Sequence, residues 1–280
     1  MPRCEPKGRG ALPLWLLLLT TAAGCASAGG PGDQPSLRAV LWQQRAQEYR
    51  ALTESVYQAA TAALESALEA PEAVHGAVSE AALEAPTGPE RAQLPPAVIV
   101  DVDETVLDNS PFNARMIMAG NTSFDREAWQ RWVNQARARA IPGALAFAAA
   151  ASARGVTLFY VTNRDADQEE ATAKNLRALG FPLPEGRDVL LMRGEVDDSG
   201  SDKAERRRRV ASSHRVLLLI GDNLGDFLSG DLDDPSSRDR LYEAHRERFG
   251  RDWFMLPNAV YGSWQKGLPK QPQDALDLSE

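Results

Sequence analysis

Two aspartates separated by one residue, Asp101 and Asp103, follow the apolar run Ala97–Val100 in the segment AVIVDVDETVLDNS. On a strand, alternate residues share a face, so the two carboxylates project together. Side by side they repel, and the pair calls for a cation or a shared proton. A second acidic pair follows another apolar run: Asp222 closes Leu219-Ile220-Gly221-Asp222, and Asp226 comes one helical turn later. These are oxygen ligands of the hard kind that Mg²⁺ prefers. Thr162 and Asn163 end a third apolar run and offer a hydroxyl and turn amides to a phosphate oxygen. Lys203 opens a helical stretch and supplies a compact positive charge. Cys4 and Cys25 both precede the body of the chain, and three histidines are too few for a histidine-rich metal site. Any catalysis must rest on carboxylates.

The elements that position these groups are legible in the patterning. Four apolar, β-rich runs, Ala97–Val102, Val156–Val161, Val189–Met192 and Val216–Ile220, are followed by a weaker fifth at Trp253–Leu256. Helical stretches such as Ala166–Leu179 and Asp202–Ser212 lie between them, and this alternation predicts a parallel sheet covered on both faces. Its carboxyl edge is the usual ligand crevice of such sheets, and every group named above falls at a strand end or helix start. From Asn109 to about Ile141 the alternation fails, and Trp129, Trp132 and Val133 recur at helical spacing. This segment is read as a helical cap inserted after the first strand. Upstream, residues 37–94 read as helices. Tyr49, Leu52, Val56, Ala59 and Ala63 form an apolar face, and prolines 86, 89, 95 and 96 close off a shorter second helix. Consecutive helix residues point in different directions, so the run Arg206–Arg209 reads as a solvated helix surface from which one arginine could approach an anionic ligand.

At this point the sequence resembles the haloacid dehalogenase superfamily. More closely it is similar to the class C, lipoprotein-type bacterial acid phosphatases, including the outer-membrane 5′-nucleotidases. The resemblance runs through WQQRAQEYRAL, VDVDETVLDNSPF, IPGALAF, FYVTNRD, SDKAERR, GDNLGDF and LPNAVYGSW. It implies an α/β fold with a Rossmann-like parallel sheet and a small helical cap over residues 37–280. It also implies Mg-dependent hydrolysis of phosphate monoesters, with nucleoside monophosphates or nicotinamide mononucleotide as substrates. Asp101 resembles the nucleophile that becomes an aspartyl phosphate, and Asp103 the general acid and base. The metal would be held by Asp101, the Asp103 carbonyl, Asp222 and Asp226, with Thr162, Asn163 and Lys203 on the phosphate. Trp129, Tyr261 and Trp264, from two distant segments, are expected to form an aromatic clamp on a nucleobase. A homodimer is implied by the resemblance alone.

Among its 280 residues the chain has 31 basic and 39 acidic side chains, for a net charge of −8. That balance argues against binding nucleic-acid polymers, which need a basic surface. Residues 1–24 read as an export signal: Arg3, Lys7 and Arg9 precede the short apolar run Ala11–Ala23. Two processing routes are open. Ala22-Ala23-Gly24-Cys25 resembles a lipobox, with alanine where leucine is usual, and would leave a lipidated Cys25 at the outer membrane. Cleavage after Ala28 would instead release a soluble periplasmic protein. The lipid route is favoured, with residues 25–36 as a Gly/Pro-rich tether. Readings from other classes are a response-regulator receiver and a non-catalytic, phosphate-binding surface lipoprotein or adhesin. The export signal and the second acid after Asp101 argue against the receiver.

Overall fold

The computed structural model describes residues 35–69, 81–121, 123–195, 200–269 and 272–279. The export signal, Cys25 and residues 25–34 of the tether lie outside the described residues. The last two residues expected in the tether, Pro35 and Ser36, belong instead to the first turn of α1 (Pro35–Arg45). Proline is well placed there, because its missing N–H would have no intrahelical partner.

Five strands, β1 (Pro96–Val100), β4 (Thr157–Asp165), β5 (Leu190–Arg193), β6 (Arg215–Gly221) and β7 (Trp253–Met255), form one sheet in the order β5-β4-β1-β6-β7. All neighbours pair in parallel. The runs Ala97–Val100 and Val216–Gly221 are buried throughout, as expected of strands covered on both faces. The strand order reverses at β1. Right-handed crossovers then place α5 (Ala144–Ala153) and α6 (Glu169–Leu179) on one face and α7 (Ala204–Ser213) on the other. The reversal opens a crevice at the carboxyl ends of β1, β4 and β6.

The long helix α2 (Gln47–Glu69) packs against α5, β6 and β7. Its buried residues are Tyr49, Thr53, Tyr57, Ala60 and Leu64, one position on from most of the expected set. Leu52 is 44% exposed. Both sets fit a helical period. The Tyr57 hydroxyl decides between them, because it donates 2.7 Å to the Thr105 carbonyl in the loop after β1. Between residues 81 and 95 the helical structure is a single short turn, Pro89–Gln93.

The inserted cap is built from α3 (Ser110–Met118) and α4 (Arg126–Asn134). It is not wholly helical. Its stem is closed by an antiparallel pair, β2 (Leu107–Asp108) with β3 (Arg139–Ala140). This two-residue ladder is too short to leave an alternating signal in the sequence. Downstream, α8 (Pro235–His245) follows β6, with Asp234 capping its first turn. Among the described residues no helix is long and apolar enough to cross a membrane.

Candidate active site

A cavity of about 990 Å³ lies at the carboxyl edge of the sheet, between the ends of β1, β4 and β6 and the cap. Asp101, Asp103, Asn163, Lys203, Asp222 and Asp226 all line it. They arrive from four segments distant in sequence because each terminates a strand or opens a helix at the same edge.

On the floor, one carboxylate oxygen from each of Asp101, Asp222 and Asp226 lies within 4.8 Å of the others. Lys203 bridges two of them, its Nζ donating 2.5 Å to Asp101 Oδ1 and 2.6 Å to Asp226 Oδ1. The other Asp226 oxygen accepts from the amides of Asp222 and Asn223, at 3.0 and 2.9 Å. Gly221 makes that approach feasible: a Cβ there would sit 2.3 Å from Asp226 Oδ2. Asp222 is held by Asn258 Nδ2 at 2.8 Å and by the Thr105 hydroxyl at 3.3 Å.

Crowded buried acids resist ionisation together. Burial raises the Asp101 pKa to about 7 although Lys203 pulls it down, and Asp226 and Asp103 add to the rise. Burial, then Asp226 and Asp101, hold the Asp222 carboxyl well above its ordinary range. Burial opposes the Lys203 charge, but Asp101 and Asp226 outweigh it and its pKa is raised. Three converging carboxylates with a single ammonium form an all-oxygen donor set that fits a hard divalent cation.

Asp103 sits higher, 18% exposed at its side chain. Arg164 Nε lies 3.0 and 3.3 Å from its two oxygens, and Nη2 lies 2.8 Å from Oδ1. Asn109 Nδ2 donates to the same Oδ1 at 2.8 Å, and Trp132 Nε1 fixes the Asn109 amide by donating 2.8 Å to its oxygen. Beneath lies Glu104, fully buried and in the left-handed region at φ 56°. It accepts the Asn109 amide and the Tyr261 hydroxyl, and burial, then Asp103, raises its pKa to about 8.

Other sequence candidates are placed differently. Thr162 is fully buried and does not line the cavity; its hydroxyl accepts the Arg164 amide at 3.2 Å. Asn163 lines the cavity, with Nδ2 donating to the Ser201 carbonyl and Oδ1 accepting from Arg206. Trp129 and Tyr261 both line it, but Trp264 does not. It stands in the single turn Ser263–Gln265, 39% exposed, with Nε1 reaching back to the Tyr261 carbonyl. The clamp residues in the cavity are therefore two.

The run Arg206–Arg209 is only half a solvated surface. Arg206 and Arg207 are 2% and 0% exposed, and only Arg208 and Arg209 face solvent. Arg206 bonds the Thr162 carbonyl and Asn163, while Arg207 bonds Glu84, the Gly225 and Asp226 carbonyls and Ser229. The pattern contained the signal: Lys203, Arg206, Arg207 and Val210 are three or four residues apart and share one helix face. Arg164, Asn109 and Asn258 were the polar groups missed as site residues. For Arg164, strand alternation with Thr162 was the available hint. For Asn258, the only hint was its place in the segment LPNAVYGSW.

Residues 33–264 match the HAD superfamily, subfamily IIIB (acid phosphatase). The chain belongs to that family. Among solved structures it is similar to the class C acid phosphatase from Bacillus anthracis, with 29% identity, a TM-score of 0.72, and coverage of 88% of this chain and 98% of that one. The same enzyme with tungstate bound matches at 28% identity and a TM-score of 0.71. Acid phosphatase 1 of Solanum lycopersicum is 30% identical over 139 residues, 48% of this chain and 52% of that protein. The stem 28 kDa glycoprotein of Glycine max is 25% identical over 137 residues, 47% of this chain and 52% of that protein. The chain spans about half the length of the curated relatives it matches. Membership of an acid phosphatase family accords with a cavity whose floor is acidic and whose lysine is buried.

Proposed function

We propose that this chain hydrolyses phosphate monoesters through an aspartyl phosphate on Asp101. The observation that carries the reading is the placement of the Asp101 carboxylate against Lys203, within 4.8 Å of Asp222 and Asp226, with Asp103 beside it on the cavity wall. Asp101, Asp222 and Asp226, with the Asp103 carbonyl, would hold Mg²⁺, which when bound supplies the positive charge that lets an anionic carboxylate meet an anionic phosphate.

Asp101 attacks phosphorus in line and expels the ester oxygen. Asp103 donates the proton that the leaving oxygen needs, then takes one from the water that cleaves the aspartyl phosphate. Arg164 and Asn109 aim the Asp103 carboxyl for both transfers. Lys203 and Asn163 neutralise and orient the phosphoryl oxygens. The bound tungstate in the Bacillus anthracis relative is a tetrahedral oxyanion, consistent with this use of the fold.

The finer reading is a 5′-nucleotidase at the bacterial envelope, tethered through Cys25. It draws support from Trp129 and Tyr261, flat aromatic side chains in the same cavity as the acids. Palmitate labelling that is lost in Cys25→Ser tests the anchor.

The test of the chemistry is release of phosphate from p-nitrophenyl phosphate, with EDTA and with Mg²⁺ restored. Asp101→Asn should abolish turnover without loss of fold, and Asp103→Asn should lower kcat by roughly 10²–10⁴. Asp222→Ala should need more Mg²⁺ for the same rate. Near-normal activity in Asp101→Asn would rule out the aspartyl phosphate.

A further inference from the structure

The arginines that line the cavity and the acids that follow β6 stand on opposite sides of β1. On one side of β1, Arg164 and Arg193 stand at the ends of β4 and β5, and Arg126 opens α4 above them. On the other side, the segment after β6 contributes Asp222, Asp226, Asp231 and Asp233. Arg164 is committed to Asp103. Arg126 and Arg193 share a single carboxylate, Asp165, which also lines the cavity. Arg126 Nη2 lies 3.0 Å from Asp165 Oδ2, while Arg193 spends Nε and Nη2 on Oδ1, at 2.8 and 2.5 Å. Among the described residues, the two guanidiniums share this one carboxylate. Among the described residues, Arg193 Nη1 and Arg126 Nη1 have no hydrogen-bond partner, and the two side chains are 34% and 74% exposed. The donors are thus accessible from the cavity and still open to a planar or tetrahedral anion.

The position of this pair relative to the nucleophile sets the ligand. β5 is two strands from β1, about 10 Å at ordinary strand spacing. An anion bound there cannot be the phosphoryl group under attack at Asp101. We infer that Arg126 and Arg193 form a second anion subsite, which selects phosphate monoesters whose leaving group carries another phosphate or a carboxylate several bonds from the ester oxygen. Asp165 holds the two guanidiniums side by side and competes with the substrate anion for them. The inference rests on the proposed phosphatase reading for the first anion site only.

The test uses two probes of one shape, 4-carboxybenzylphosphonate and 4-carbamoylbenzylphosphonate, which occupy the site without being cleaved. Calorimetric affinities for the full chain with Mg²⁺ should favour the carboxylate. In Arg193→Gln that preference should fall by about tenfold, the scale of one charge-assisted bond. Arg193→Lys should recover part of it, and Asp165→Asn should increase it. Turnover of 4-carboxyphenyl and 4-carbamoylphenyl phosphate, as ratios of kcat/KM, should move in parallel. Equal affinity for the two phosphonates in the parent protein overturns the subsite, as does a preference that Arg193→Gln leaves intact. Equal losses on both probes would make the cluster a latch between cap and sheet, which also overturns it. Preferential binding without turnover would overturn the hydrolase reading and leave the subsite standing. A chain that binds neither phosphonate overturns both.

Discussion

The Arg164 guanidinium grips Asp103 with Nε and Nη2, at 2.8 to 3.3 Å, while its own Nη1 is anchored 3.0 Å from the buried Thr172 hydroxyl. The arginine is 2% exposed, so its geometry is dictated by packing rather than by solvent. A planar fork held at both ends fixes the direction in which Asp103 points. Lysine offers one rotatable ammonium and cannot reproduce it. Arg164→Lys should therefore lower kcat by roughly 100-fold, the scale of a misaligned catalytic group, with a smaller change in KM. Steady-state kinetics on a small aliphatic phosphate ester would check this. A kcat within twofold of the parent would show that Asp103 needs no such alignment.

Arg207 lies behind the floor of the site. Its guanidinium reaches both oxygens of Glu84 and the carbonyls of Gly225 and Asp226, linking the segment before β1 to the loop that carries Asp222 and Asp226. The Arg207 side chain is 0% exposed and that of Glu84 only 10%. Arg207→Met should destabilise the fold by about 3–5 kcal/mol, because it strands a buried carboxylate. Arg207→Met combined with Glu84→Met should be much less damaging, since no charge is then left alone. Urea unfolding of the two variants distinguishes these outcomes; equal losses would mean that the ion pair is not what matters.

The strands and their acids were legible because buried parallel strands leave long apolar runs, and because acids at the ends of such runs stand out. Ala97–Val100 and Val216–Ile220 show this most clearly. What escaped was set by tertiary contacts. Leu52 looks like a core residue, yet the bond from Tyr57 to Thr105 rotates α2 and exposes it. Arg206 and Arg207 look like surface charge, but backbone carbonyls and Glu84 satisfy their donors inside the protein. Trp264 looks like a wall of the cavity, but a single helical turn directs it outward. For Tyr57, Arg206 and Arg207 a polar partner far along the chain decides the matter, and local periodicity carries no record of that partner.

His214 supplies a pH dependence remote from the acids of the floor. Burial, and after it the Arg187 charge, holds its imidazole below the ordinary value of 6.5. The ring packs edge-on to Phe159 at 4.8 Å, and its buried Nε2 has no partner among the described residues. The folded state therefore favours neutral histidine, and just below pH 6.5 the unfolded chain binds more protons. Stability from this group is complete above pH 6.5 and falls as pH drops from 6.5 toward the lower folded value. Urea midpoints at pH 7.5 and 5.5 should separate for the parent protein, and His214→Phe should narrow the gap. An unchanged gap would assign the acid sensitivity to other groups.

Trp129 and Tyr261 share the cavity but are anchored differently, and that difference can be read out. Trp129 packs edge-on to Phe112 at 5.1 Å and tilted to Phe124 at 6.1 Å, with the Arg164 guanidinium 5.4 Å from its ring centre. What it offers a ligand is the part of the ring that Phe112, Phe124 and Arg164 leave facing the cavity. Stacking of a base on such a ring is worth about 1–3 kcal/mol, or roughly 5- to 150-fold in affinity. Trp129→Ala should raise KM for nucleoside monophosphates by a factor in that range and change KM for small aliphatic phosphate esters far less. Tyr261 also donates its hydroxyl to the buried Glu104, so its replacement by alanine would confound recognition with folding. Tyr261→Phe keeps the ring and should leave nucleotide selectivity in place, while lowering stability by about 1 kcal/mol, because Glu104 Oε2 then keeps only the Asn109 Nδ2 contact at 3.4 Å. Trp264→Ala should leave selectivity unchanged, because that ring is outside the cavity. Parallel KM series on the two substrate classes, with unfolding midpoints for each variant, check all three. Equal KM losses on both classes in Trp129→Ala would assign that ring to the support of Phe112 and Arg164 instead of to a nucleobase.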